Sequence, residues 1–347
     1  MSKSTYFTSV LAALCCCLTA FYLYNPPKNP VPNEMASLKQ ISRSIVKKVY
    51  AAETSEGVGA TVRRSIGSMS LRNLSPFLML DHFDLSRGGG FPDHPHRGQA
   101  TVTYMIEGAS QHEDSRGHKG IIKTGGVQWM CAGKGIIHSE IPLHVEGAKN
   151  PNGLQLWVDL PKQYKMVDPS YQELDAEQIP SAYPEGEDGN VRIKLISGKS
   201  FGVESPVRPL GGCWYMHIFL KKTGAKVFQD LPAGWTSFIY VLKGAVAVNK
   251  DGGDSTAHRQ HHTLVLSAAA NETGVAIEAG EDETEVVLIS GEPLDQPVVQ
   301  YGPFVMTSRE EIQQTLRDYQ GAKNGFEAAH SWQSDLGQKF LKEYGRD

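Results

Sequence analysis

His94-Pro95-His96 and His138-Ser139-Glu140 carry the clearest chemistry in this chain. In an extended strand, residues i and i+2 point to the same face, so each triplet offers two same-facing donors. Two such strands side by side would supply three neutral imidazoles and one carboxylate. That donor set suits a first-row divalent ion such as Fe(II), Mn, Ni or Cu, and affinity order alone does not choose among them. An HxH pair alone is a weak signal; the second pair at the same spacing strengthens it. The same four side chains would also suit a hydrogen-bonded polar pocket without metal.

Such donors need strands to hold them, and the surrounding sequence reads as strands. Ala100-Thr-Val-Thr-Tyr-Met-Ile followed by Gly108, and Gly120-Ile-Ile-Lys-Thr-Gly-Gly, combine β-branched residues with turn glycines. The 35 glycines and 19 prolines favour many short strands over long helices. Residues 41–165 form a first β-rich block and 191–307 a second, joined by a polar connection over 166–190. Thr103-Tyr-Met-Ile-Glu-Gly is echoed by Ile239-Tyr-Val-Leu-Lys-Gly, a weak internal repeat compatible with duplicated barrels. Residues 308–347 turn helical: Ser308 and Glu311 stand in capping-box positions, and Ile312, Leu316 and Tyr319 follow helical spacing.

The second block has no HxH at the stretch that should mirror the first triplet, Pro232-Ala-Gly-Trp-Thr-Ser-Phe-Ile-Tyr. His217, among aromatic neighbours on a strand, reads as a core residue. The adjacent His261 and His262 would face opposite sides of a strand and read as loop or surface. His112 and His118 flank a polar loop and are expected beside the site or at the surface rather than as ligands. Arg97, next to His96, is a further candidate neighbour. Cys131 sits in an apolar run and is expected buried and inert. The cysteines suggest neither a disulfide framework nor a CxxC zinc pair. A net charge of −4 gives no reason to expect direct nucleic-acid binding.

Between Lys3 and Lys28 there is no charged residue. The apolar stretch Tyr6–Tyr24 is long enough to span a bilayer as a helix, with aromatics at both ends and Pro26 and Pro27 after it. Residues 1–40 are therefore expected to be a hydrophobic helix and linker, anchoring cytoplasmic-facing domains at a membrane. A cleaved signal peptide, for which Leu18-Thr19-Ala20 is a poor cleavage site, and an unstructured extension are the alternatives.

The motifs also resemble a known family. Gly88-x5-His94-x-His96 closing at Gly108, and Gly135-x2-His138, look like the two cupin motifs. Asp93-His-Pro-His-Arg-Gly-Gln-Ala-Thr-Val-Thr-Tyr is very similar to the pirin signature. Gly126-Val-Gln-Trp-Met-Cys-Ala-Gly-Lys-Gly-Ile-Ile-His-Ser-Glu and Gly153-Leu-Gln-Leu-Trp-Val extend the likeness. It covers roughly residues 44–337. The resemblance implies an all-β chain of two tandem jelly-roll cupin barrels with a short C-terminal helix. It also implies one mononuclear Fe(II) in the first barrel on His94, His96, His138 and Glu140. One departure is Ala100, where pirins commonly have Glu; this is expected to alter the pocket or its surroundings without removing a ligand.

What the resemblance implies for function is an iron-dependent dioxygenase of quercetin 2,3-dioxygenase type. Its substrates would be dioxygen and a small flavonol-like aromatic, with Glu140 accepting the substrate hydroxyl proton. The alternative is a non-enzymatic, redox-sensing co-regulator that binds transcription factors or other proteins, placed in nucleus and cytoplasm as typical pirins are. A cupin that has kept its fold and lost its chemistry is the third reading.

Overall fold

The computed structural model describes residues 39–147, 149–248 and 256–345. The expected hydrophobic helix at 6–24 lies outside the described residues. Among the described residues, no helix is long and apolar enough to cross a membrane.

Strand-forming segments alternate with glycine turns, and they assemble into two barrels of the same plan. In the first, a seven-stranded sheet runs in the spatial order Ser170–Leu174, Val127–Cys131, Gln99–Glu107, Asn152–Asp159, Phe77–Asp84, Ala60–Arg64, Ala52–Glu56. It is accompanied by a four-stranded sheet in the order Phe91–His96, Ile136–Pro142, Ala109–Asp114, Lys119–Lys123. The second barrel repeats both sheets. Its larger one runs Ile45–Tyr50, His262–Leu266, Thr236–Lys243, Thr284–Gly291, Cys213–Leu220, Val191–Ser197, Ser181–Ala182. Its smaller one runs Lys226–Asp230, Gly274–Ala279, Ala245–Val248, His258–Arg259. Matching strand orders of this kind are what a duplicated cupin predicts.

Two segments fall elsewhere than their sequence position suggests. Ile45–Tyr50, expected in the first block, pairs antiparallel with His262–Leu266 of the second barrel. Arg43 is fully buried there, donating to the Trp235 and Pro232 carbonyls and to Ser237 Oγ. Ser170–Leu174, expected in the connection, completes the larger sheet of the first barrel against Val127–Cys131. Each barrel thus takes its outermost strand from the segment that precedes the other barrel's strands or follows its own.

The larger sheets meet through a shared apolar core that includes Phe77, Tyr104, Tyr215 and Phe238. Phe77 meets Phe238 edge-on at 5.1 Å. Two buried polar pairs fix the contact: Tyr104 Oη lies 2.9 Å from His217 Nδ1, and His82 Nδ1 lies 3.0 Å from Tyr240 Oη. His217 is thus a partnered core residue. Inside the second barrel, the strands corresponding to the two ligand triplets place Val227, Val275 and Ile277 in an apolar cluster. Among the described residues the first barrel's own apolar clusters are small: Ala60, Val62, Phe83, Leu85, Met105 and Ile122 form one, and Met130, Ala132 and Ile136 another. The rest of its interior is a partly open cavity with both polar and apolar walls.

Two helices close the chain, α1 (Arg309–Gln320) and α2 (Asp335–Tyr344). The capping box forms as expected: Ser308 Oγ accepts from the Glu311 amide, and the Glu311 carboxylate accepts from the Ser308 amide. Ser334 caps α2 and also donates from both its amide and hydroxyl to Asp93, immediately before the first triplet. The tail is thereby tied to the outer face of the strand that carries His94 and His96.

Candidate metal centre

Phe91–His96 and Ile136–Pro142 lie side by side, with His138 opposite His94 in the register. Alternation turns His94, His96, His138 and Glu140 inward, while Asp93 and Ser139 face α2. One ring nitrogen from each of His94, His96 and His138 falls within 4.8 Å of the other two. His138 Nε2 is 3.0 Å from His94 Nε2. Two nitrogens about 2.1 Å from one ion and at right angles to each other are separated by about that distance. His94 Nδ1 donates to the Pro92 carbonyl at 2.8 Å, which leaves Nε2 as the bare acceptor facing its neighbour. His96 Nε2 is buried without a hydrogen-bond partner. Burial, reinforced by the adjacent imidazoles, pushes His96 and His138 well below the ordinary histidine pKa, so both rings are held in the neutral, ligating form. A divalent ion would give His96 Nε2 the partner that hydrogen bonding leaves it without.

Glu140 stands just outside the imidazole trio, with Oε2 3.8 Å from His138 Nε2. Thr103 Oγ1 donates to Oε1 at 2.8 Å and Gln155 Nε2 to Oε2 at 3.0 Å. Both partners come from the larger sheet, where alternation faces Thr103, Gln155 and Trp157 into the same space as Glu140. Trp157 meets the His96 ring edge-on at 5.1 Å. Gln99 reaches His96 Nδ1 at 2.8 Å. Sequence reading missed these four residues. The signal for two of them was present in Gly153-Leu-Gln-Leu-Trp-Val, where Gln155 and Trp157 alternate with leucines that enter the core.

The site opens into a cavity of about 620 Å³ whose lining includes His94, His96, Glu140, Trp157, Phe91 and Arg64. That is ample for a small aromatic molecule. On its wall, Arg64 grips Asp81 through two hydrogen bonds of 2.8 and 2.6 Å and also contacts Glu56.

The other expected neighbours lie elsewhere. Arg97 turns away from the imidazoles: its guanidinium donates to the Lys134 and Asn324 carbonyls, Thr315 Oγ1 and Asp318, anchoring α1 and the chain after it. His112 is opposite Glu140 in the register but engages Glu173 and stacks on His118. Ala100, expected to alter the pocket, is one residue out of phase with Thr101 and Thr103. Its methyl group joins the core between the barrels rather than the cavity wall. His261 lies in a turn, as expected, half-buried close to His82 and Tyr240, whereas His262 opens the strand His262–Leu266. Cys131 is buried, and burial pushes its thiol pKa up.

Residues 59–158 match the family model described as Pirin, and residues 215–325 match that of the Pirin C-terminal cupin domain. The chain is 47% identical to Pirin of Mus musculus over 305 residues, covering 87% of this chain and 100% of that protein. It is 47% identical to Pirin of Homo sapiens over 298 residues, covering 85% and 99%. The chain belongs to the pirin family. Among solved structures of the pirin type of fold, it is similar to a quercetin 2,3-dioxygenase from Acinetobacter baumannii. The TM-score there is 0.73 at 31% identity, with 82% of this chain and 99% of that one covered. The bacterial pirin YhhW from Escherichia coli, solved in complex with nickel(II), shares the fold with a TM-score of 0.54 at 21% identity. That match covers 72% of this chain and 99% of that one.

Proposed function

We propose that the first barrel holds one mononuclear Fe(II) on His94, His96, His138 and Glu140 and acts as a dioxygenase of quercetin 2,3-dioxygenase type on flavonol-like substrates. The observation that carries this reading is the convergence of three imidazoles, with Glu140 beside them, at the end of an aromatic-walled cavity. The likeness to the Acinetobacter enzyme supports the reaction class. When bound, the ion supplies Lewis acidity toward the substrate hydroxyl and a route for dioxygen activation.

The protein's own groups do the rest. Phe91 and Trp157 give flat apolar walls for a planar ring system, which displaces water from them on binding. Glu140 takes the flavonol 3-hydroxyl proton onto its carboxylate, one oxygen of which Thr103 holds in place and the other Gln155. Dioxygen adds to the electron-rich ring so formed. Both of its atoms end in the products, two carbon–carbon bonds of the central ring break, and one ring carbon leaves as carbon monoxide. Iron content of the purified chain beside a His96→Ala variant tests the site. About one equivalent in the parent and a loss in the variant are expected; equal metal in both would remove the ligand assignment.

A second reading, a redox-sensing protein-binding regulator, is favoured by the higher identity to proteins named Pirin than to the dioxygenase. It uses the same metal site, so turnover separates the two.

A further inference from the structure

A second cluster of metal-type donors lies outside the cavity. One donor atom from each of His112, His118 and Glu173 falls within 4.8 Å of the other two. None of the three lines the cavity or belongs to the four-donor site. His112 comes from the strand Ala109–Asp114, His118 from the turn after it, and Glu173 from the edge strand Ser170–Leu174. We propose that these three residues form a second metal site of the first barrel, taking a zinc(II)-class divalent ion and cross-linking the 114–118 turn to that edge strand.

Four observations carry the proposal. The donors are two imidazoles and one carboxylate, the borderline set such ions prefer, and three ligands leave room for water. His112 Nε2 is buried and makes no hydrogen bond although Glu173 Oε1 is 3.0 Å away, and His118 Nδ1 is likewise without a hydrogen bond. His118 Nε2 is 3.8 Å from Glu173 Oε2, so the carboxylate already turns one oxygen toward each ring. Finally, residue 120, opposite His112 in the register, is glycine. A Cβ there would come within 2.7 Å of His112 Nε2 and 3.6 Å of Glu173 Oε2, so the missing side chain leaves the space beside the donors open.

The frame around the cluster is rigid. Asp114 Oδ1 accepts from the Arg116 and His118 amides, an Asx-type arrangement that fixes the turn carrying His118. Asp114 Oδ2 accepts from the Tyr171 hydroxyl, and Gln128 Nε2 donates to Glu173 Oε1. The His118 ring stacks on Tyr171 at 4.2 Å, tilted by 15°, and on His112 at 5.2 Å, tilted by 23°. Rings so close to parallel do not aim both lone pairs at one point, so ion binding swings the half-exposed His118 ring off Tyr171. His112 and Glu173 stay as they are.

Zinc(II) titrated into chelator-stripped full-length protein, followed by calorimetry, tests this. The parent should take up two equivalents. His118→Ala and Gly120→Ala should each take up one. A His94→Ala/His96→Ala variant should still bind one equivalent, and lose it when His118→Ala is added. This last pair separates failure here from failure of the four-donor site. Unchanged uptake on His118→Ala, or no uptake by the His94→Ala/His96→Ala variant, overturns the proposal. Since His118 is at the surface and half-exposed, its replacement leaves the fold intact.

Discussion

Glu140 and Thr103 meet across the first barrel, the hydroxyl of Thr103 donating to Glu140 Oε1 at 2.8 Å while Gln155 holds Oε2 at 3.0 Å. Glu140 comes from the smaller sheet and Thr103 and Gln155 from the larger one, so the carboxylate next to the imidazoles is set by the closure of the barrel itself. Free rotation about its side-chain bonds is removed, and one face of the carboxylate is left toward the cavity.

Glu140→Gln keeps the shape of this side chain and removes the proton acceptor. Oxygen uptake with a flavonol should fall roughly 10²–10⁴-fold, the usual contribution of a positioned base. The three imidazoles should retain part of the metal. Turnover at the parent's rate in the metal-loaded variant would show that Glu140 takes no proton.

Thr103→Val trades the hydroxyl for a methyl group of similar volume and leaves every proposed ligand in place. An activity loss of about 10–100-fold is expected, as for other partners that orient a ligating group. Metal content measured on the same samples should show a smaller change. If neither activity nor metal affinity moves, Thr103 is not a positioning residue.

Much of the site was legible because its logic is local. A period of two puts His94 with His96 and His138 with Glu140 on one face wherever those segments are strands. The Ser308–Glu311 box is equally local, and it formed. Thr103 and Gln155 were not legible as partners of Glu140, since nothing near them in sequence says which strand will face them across a barrel. Ile45–Tyr50 shows the same limit, for its partner His262–Leu266 lies more than two hundred residues away. Ser170–Leu174 and Glu173 were hidden by composition: an edge strand is polar and short, and reads as a connection. Ala100 could have been placed by counting one step from Thr101. The family's preference for Glu there drew attention to the pocket instead of to the alternation.

Arg97→Met should be costly without touching the metal. Arg97 and Asp318 are 1% and 2% exposed and paired at 2.9 Å. Removing one partner strands a buried charge, with a typical cost of about 3–5 kcal/mol. The Lys134 and Asn324 carbonyls and Thr315 lose their donor as well. Thermal unfolding should shift down by several degrees, with α1 detached first in amide exchange. An unshifted transition would show that the tail is held by its apolar contacts alone.

His261 gives the stability a pH dependence. Burial first, then the charges of Arg63, His82 and His262, bring it from 6.5 down to about 4. Between those values the unfolded chain binds a proton that the folded chain does not. Its contribution is therefore complete above pH 6.5 and is lost as pH falls toward 4. His261 has φ +68°, a conformation asparagine tolerates. Melting temperatures of the parent and His261→Asn should converge as pH drops from 7 to 4.5. Parallel curves would refute the assignment.

Oxygen consumption by the Fe(II)-loaded full-length chain with quercetin, read alongside carbon monoxide release, bears most directly on the proposed reaction. Uptake and release in equal amounts are expected, absent from the stripped protein and from His96→Ala. A preparation that carries its full equivalent of iron yet consumes no oxygen with quercetin or any other flavonol would contradict the dioxygenase reading and leave the protein-binding one.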